Sequence, residues 1–321
     1  MNNSPILISH LPRSGSTWLA RTLSVSRNSD YLHEPDNEKL NLRAFYYKRN
    51  CHRFPYFAKN NIDQNWLKMF EQIFEGEYLS THTKSYKRLR KKGFFDNDKA
   101  EKLIKRKEHQ LLTETRSFSI DEKALFLTNR LLKSNYPSET PTNKTRIIKS
   151  GHTAMTLPIL MDRFDIRVVF IMRHPASIIS SYIRMAMPDA DRQVEKQKAL
   201  IEGYLAPYQE KLKNITNPIG KMAIHINIMY YMLEKAMQTY PIHIVTHEQL
   251  CVDPVGEFKK LYSKLSLEWS EDVIEFLEKN NTEGTGYAIQ RKTEEQIDKW
   301  KKTLTNDEVI QIREGMKLFP L

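Results

Sequence analysis

Ile6-Leu7-Ile8-Ser9-His10-Leu11-Pro12-Arg13-Ser14-Gly15-Ser16-Thr17-Trp18-Leu19 is the stretch on which the reading of this chain turns. A β-branched run stops at a proline, bends through Arg-Ser-Gly, and enters a helical pattern. An unbroken apolar run of this kind is expected of a strand buried on both faces of a parallel sheet. A tight turn at its end points successive backbone N–H groups into one concavity, and the helix opening there adds the partial positive charge of its N-terminus. Gly15 permits close backbone approach, Ser16 and Thr17 offer hydroxyl donors, and Arg13 supplies a permanent, forked cation for oxyanions. The segment from Arg13 and Ser14 to Trp18 therefore reads as a phosphate or sulfate cradle. It is not a nucleoside-triphosphatase loop: G-x-x-x-x-G-K-[ST] is absent, and no Lys precedes Ser16 or Thr17.

Working outward, the same rhythm recurs. Arg146-Ile147-Ile148-Lys149 precedes a helical stretch through Leu160 and Met161. Arg167 to Met172 ends at His174-Pro175, and Ile242-His243-Ile244-Val245 ends at Thr246. Strands alternating with helices predict an α/β fold with a central parallel sheet and right-handed crossovers. Between Asp36 and Lys144 the rhythm fails. Ile62, Trp66, Phe70, Ile73 and Phe74 mark one amphipathic helix, Asn97 to Gln110 a charged one, and no strong strand stands out. This region, about 36–144, is expected to be a helical insertion in a single domain spanning 1–321. After Val245 the pattern is mostly helical, over Pro254–Leu265, Glu271–Asn280 and Asn306–Lys317, with Asn306 as an expected N-cap.

The chain has 321 residues and a net charge of +11, a field that attracts polyanions in general. Much of the excess lies in Lys84 to Lys107, a solvated face or a polyanion contact. Two cysteines, Cys51 and Cys251, cannot build a disulfide framework, so a reducing cytoplasm is the expected compartment. No run of about twenty apolar residues and no secretory signal are visible. No Cys/His cluster has zinc spacing, so no metal is expected.

A second anion motif is Arg173-His174-Pro175 through Ser181-Tyr182. Arg173 stands at the carboxyl end of a strand, where α/β sheets place ligands, and Ser181 follows about two helical turns later. Together with Pro12-Arg13-Ser14-Gly15-Ser16-Thr17-Trp18, this resembles the sulfotransferase family, which uses 3'-phosphoadenosine 5'-phosphosulfate (PAPS) as donor. The resemblance implies a three-layer fold like that of P-loop nucleotide kinases and no metal. It implies that the first loop holds the 5'-phosphosulfate and that Arg173 and Ser181 hold the 3'-phosphate. Arg291-Lys292 with Trp300-Lys301-Lys302 resembles the segment closing over that phosphate, with Thr293 where the family motif has Gly. The family's cytosolic members usually carry Lys at the position of Arg13, whereas carbohydrate, tyrosylprotein and many bacterial members carry Arg. The resemblance therefore leans toward a carbohydrate or other large polar acceptor, and the basic segment would suit an anionic one. It does not cover Asp36 to Lys144.

Sulfuryl transfer needs charge stabilisation on the leaving side and a proton acceptor on the attacking side. Arg13 and Lys149 suit the first need; Lys149 resembles the lysine of the family's Lys-Thr-His segment. Two residues suit the second. Glu34, in His33-Glu34-Pro35, resembles a catalytic Glu of the tyrosylprotein members. His152 resembles the catalytic His of cytosolic members, displaced by one residue from 151. Two other functions remain open on the sequence: a small-molecule kinase with a degenerate phosphate loop, and a noncatalytic polyanion-binding protein built on the 84–107 segment.

Overall fold

Apolar residues at alternate positions of each strand feed two separate cores, and the sheet between them organises the molecule. The computed structural model describes residues 4–76, 96–133, 144–187, 194–284, 290 and 292–319. Five strands, β1 (Ile6–His10), β2 (Ser29–His33), β3 (Thr145–Ser150), β4 (Arg167–Met172) and β5 (Ile242–Thr246), form one sheet in the order β2-β3-β1-β4-β5. Every pairing is parallel, with Ile8 opposite Lys149 on one side and Val169 on the other.

Helices cover both faces. On one, Leu7, Ile148, Val168 and Phe170 pack against α6 (Leu157–Arg163), α7 (Pro175–Arg184), α8 (Pro218–Met237) and α3 (Gln64–Glu75). On the other, Ile6, Ile8, Ile147, Val169 and Ile171 meet α1 (Ser16–Leu23), α10 (Pro254–Lys264) and α11 (Glu271–Asn280). The result is three layers, helix–sheet–helix, as the resemblance implied. Each fully buried Ile, Leu, Val or Phe contributes on the order of 1.5–3 kcal/mol, so the central strands anchor whatever stands at their ends. Trp66 and Phe70 of α3 are almost wholly buried, which ties residues after Asp36 into the first core.

The four expected strands are present, but β2 was not foreseen. Ser-Asp-Tyr-Leu-His lies at the sheet edge with only Ser29 and Leu32 buried, so it carries no apolar run. Among the described residues of 36–144 before β3, the regular elements are helices: α2 (Leu42–Tyr47), α3, α4 (Asn97–Leu112) and α5 (Ile120–Lys133). Of the basic segment, 84–95 lies outside the described residues. In the remainder, Lys99, Lys105, Arg106 and Lys107 pair with Asp121, Glu101, Glu122 and Glu38. Lys107 alone of these is fully buried, while Lys105 and Arg106 face solvent, so this part is a surface helix with one internal ion pair. The last helix, α12 (Asn306–Met316), is capped by Thr305, one residue earlier than expected, with Glu308 closing the capping box. No helix among the described residues is long and apolar enough to cross a membrane. Both cysteines are free and buried.

Candidate active site

The loop after β1 is built around two residues in the left-handed region, Arg13 (φ 68°) and Gly15 (φ 90°), and Gly15 caps α1. Gly15 is needed for a second reason: a Cβ there would come within 2.2 Å of the His247 ring. Arg13 is held by its neighbours. Its Nε donates to Ser181 Oγ at 2.9 Å, and its backbone carbonyl accepts from Arg173 Nη1 at 2.9 Å. The two expected anion motifs, far apart in sequence, thus interlock through Arg13, Ser181 and Arg173. Ser180, the neighbouring hydroxyl, is hydrogen-bonded to Thr303 at 2.7 Å. Tyr230 fixes the strand end by donating to the Arg173 carbonyl at 2.7 Å, while the Arg173 N–H donates to the Tyr230 oxygen.

A cavity opens over this loop. It is lined by Arg13, Gly15, Ser16, Thr17, Trp18, Arg173 and Ser181, and no carboxylate among the described residues lines it. Arg184 and Lys299 add two more cations to its wall. Ser14 Oγ, Arg173 Nε and Ser177 Oγ are buried and have no hydrogen-bond partner among the described residues. Leaving a buried donor unpaired costs about 1–3 kcal/mol, so three beside one loop mark a site shaped for an oxyanion. Burial and the nearby Arg173 hold the His247 imidazole well below its usual range, so it enters the wall uncharged.

Some of these lining groups were not read from the sequence as functional. His247 and Cys251 come from α9 (His247–Val252), Asn280 and Asn281 from the end of α11, and Gln296 from the C-terminal segment, whose Thr293 and Trp300 the resemblance had already pointed to. Trp300 stacks on His174 with ring planes 9° apart, which lays the C-terminal segment across the end of β4. Glu248 braces the site by accepting from the His174 N–H at 3.0 Å. Arg291 lies outside the described residues. Lys292 pairs with exposed Glu283 at 3.0 Å.

The proton-accepting candidates stand at the ends of β2 and β3. Glu34 follows β2 with φ 43°, and its N–H donates to the Lys149 carbonyl at 2.8 Å, extending the β2–β3 ladder by one step. Its Oε1 forms an ion pair with Lys149 Nζ, and its Oε2 accepts from Asn37 Nδ2 at 2.6 Å. Burial alone would raise the Glu34 carboxyl, but the Lys149 ammonium, helped by nearby His10 and His33, holds it well below the carboxylate range. His152 lies behind this pair. Its Nε2 accepts from Arg53 Nε at 3.4 Å, and Lys48 Nζ is 3.1 Å from Nδ1. Arg53 Nη2 also reaches Asn37 Oδ1 at 3.5 Å, so Glu34 and His152 are two ends of one chain through Asn37 and Arg53. Next to it, Ser150 donates to Asp36 at 2.6 Å, and burial pushes the Asp36 carboxyl up to about 6. Asn37 and Arg53 carried no sequence signal, because nothing in their spacing announces the contact. Among the described residues, no group of three or more His, Cys, Asp or Glu is arranged to hold a metal ion.

Several solved structures align with the chain along nearly its whole length. A sulfotransferase domain from the curacin biosynthetic pathway is 17% identical over 98% of this chain and 97% of its own, with a TM-score of 0.46. Sulfotransferase STF1 from Mycobacterium tuberculosis H37Rv is 17% identical over 98% of this chain and 77% of its own, with a TM-score of 0.43. Mouse sulfotransferase SULT7A1 complexed with PAP is 12% identical over 98% of this chain and 84% of its own, with a TM-score of 0.42. Comparison with curated proteins gives no match. A sequence model described as the sulfotransferase family matches residues 5–271, a span running from β1 and its phosphate loop through β5 to α11, and the chain belongs to that family.

Proposed function

We propose that this sulfotransferase takes its sulfuryl group from PAPS and delivers it to a hydroxyl, less readily an amine, of a polar acceptor such as a carbohydrate. The observation that carries the donor assignment is the pair of buried groups Arg173 Nε and Ser177 Oγ, unpartnered among the described residues, on the wall of a cavity whose described lining holds cations and no carboxylate. These residues fit a bisphosphorylated nucleotide. Arg13, Ser14, Gly15, Ser16, Thr17 and Trp18 would hold its 5'-phosphosulfate, and Arg173 and Ser181 its 3'-phosphate. Arg291 is proposed to join them. The donor supplies the sulfuryl group and a nucleotide bisphosphate that can leave.

Arg13 and Lys149 are the cations proposed to meet the charge growing on the leaving side. Ser181 Oγ already accepts from Arg13, so its own hydrogen stays available for an anion. Glu34 is proposed to take the acceptor's proton, with Asn37 orienting its carboxylate. His152 is the alternative base. The kinase reading is disfavoured by the absent loop lysine, and the polyanion reading by the burial of Lys107, the last residue of the basic segment, against Glu38.

Calorimetry with 3',5'-adenosine diphosphate and adenosine 5'-monophosphate tests the donor. The bisphosphate is expected to bind the more tightly, and Arg173→Ala is expected to erase most of that difference, a loss of about 2 kcal/mol or more. Equal affinity for the two nucleotides in the unaltered protein would remove the PAPS assignment.

A further inference from the structure

His10 is the last residue of β1 and is buried to 2% exposure. Its Nδ1 lies 2.9 Å from the Leu11 carbonyl. A carbonyl only accepts, so Nδ1 carries the hydrogen and Nε2 is a bare lone pair in the neutral ring. That Nε2 has no hydrogen-bond partner among the described residues and stands 3.9 Å from Glu34 Oε1. Gly151 makes room for the ring: a Cβ at 151 would meet His10 Cε1 at 3.0 Å and Nε2 at 3.4 Å. A buried, unpaired imidazole nitrogen aimed at a carboxylate is costly as mere packing.

We infer that His10 is a positioning and relay residue that backs Glu34, receiving through Glu34 the proton that the acceptor loses. This rests on the proposed role of Glu34. The acceptor O–H bond breaks and its proton passes to Glu34, then to His10 Nε2. The acceptor oxygen's electron pair forms the new S–O bond as the bond from sulfur to the leaving phosphate oxygen breaks. The charged and titratable groups facing His10 are Lys149 from β3, and Glu34 and His33 from the end of β2. Burial, then the Lys149 ammonium, push the resting imidazole down to about 3, while Glu34 opposes them. Lys149 depresses both members of the pair, so the pair becomes basic only as Lys149 is drawn toward negative charge elsewhere.

The test uses the whole chain with imidazole nitrogens labelled. Nitrogen NMR is expected to find His10 as the neutral Nδ1–H tautomer near pH 7, and to find its titration moved to higher pH in Lys149→Met. An Nε2–H tautomer, or a His10 signal unmoved by Lys149→Met, overturns the inference without any donor present. Transfer of sulfuryl from PAPS to water, read as sulfate release, supplies the second arm. His10→Asn keeps the contact to the Leu11 carbonyl but cannot hold a proton. It is expected to lower the rate tenfold or more at saturating PAPS, to leave the KM for PAPS unchanged and to flatten the acid limb of the pH profile. An unchanged rate and profile would also overturn it. If the unaltered protein bound no bisphosphate nucleotide, the donor reading would fail while the tautomer result still stood.

Discussion

Glu34 illustrates how a single side chain can be both well placed and poorly basic. Its backbone sits in the left-handed region, a conformation that costs a non-glycine residue on the order of 1–2 kcal/mol and persists where neighbours over-determine it. The neighbours here are Lys149, which pins one carboxylate oxygen, and Asn37, which pins the other. Glu34→Gln keeps the shape and removes the proton acceptor. Turnover is expected to fall roughly a hundredfold, with nucleotide affinity nearly unchanged. His152→Asn is expected to be milder, since His152 stands behind Arg53 and Asn37. Acceptor-saturated rates of the two variants check the ranking, and the reverse order would move the base to His152. At this scale much was legible: Arg13, Arg173 and Ser181 were named from motif spacing, and the structure brings them within hydrogen-bond reach of one another. Asn37, Arg53, His10 and His247 were not, because their contacts come from chain crossings that leave no local pattern.

At the scale of elements, strand ends carry the site and helices behind them carry the load. The turn between β2 and α2 holds Glu38, which is fully buried between Lys48 of the α2 C-cap and Lys107 of α4. Burial alone would raise the Glu38 carboxyl, but Lys107, then Lys48 and Arg53, bring it down to about 2. A carboxyl depressed in the folded state stabilises the fold above its ordinary pKa near 4.5, and that contribution is lost as pH falls toward 2. Glu38→Gln would strand two buried ammonium groups and is expected to cost about 3–5 kcal/mol at pH 7. The shift of the urea midpoint measures it. The penalty is expected to shrink between pH 4.5 and 2, where the unaltered protein loses the same pair. The helices in the described part of 36–144 were readable from periodicity, but this ion-pair cluster was not, because a run of lysines looks alike whether solvated or buried. The edge strand β2 escaped notice for the converse reason: half-exposed residues have no reason to be apolar.

For the molecule as a whole, the excess positive charge acquires a place. Arg13, Arg173, Arg184 and Lys299 gather at one cavity, supplying the charge that a bound divalent ion contributes in nucleoside-triphosphatases. Sulfuryl transfer is therefore expected to survive excess EDTA. Loss of turnover with chelator, restored by magnesium, would instead favour the kinase reading.

The same cavity draws its walls from residue 13 and from residue 300, with most of the chain lying between them. A nucleotide seated there acts as a clasp, fastening the first loop to the last segment. At a hundred times its dissociation constant such a ligand adds about 2.7 kcal/mol to the folded state. That gain is shared by both ends of the polypeptide at once, so neither end can loosen independently while the clasp is closed.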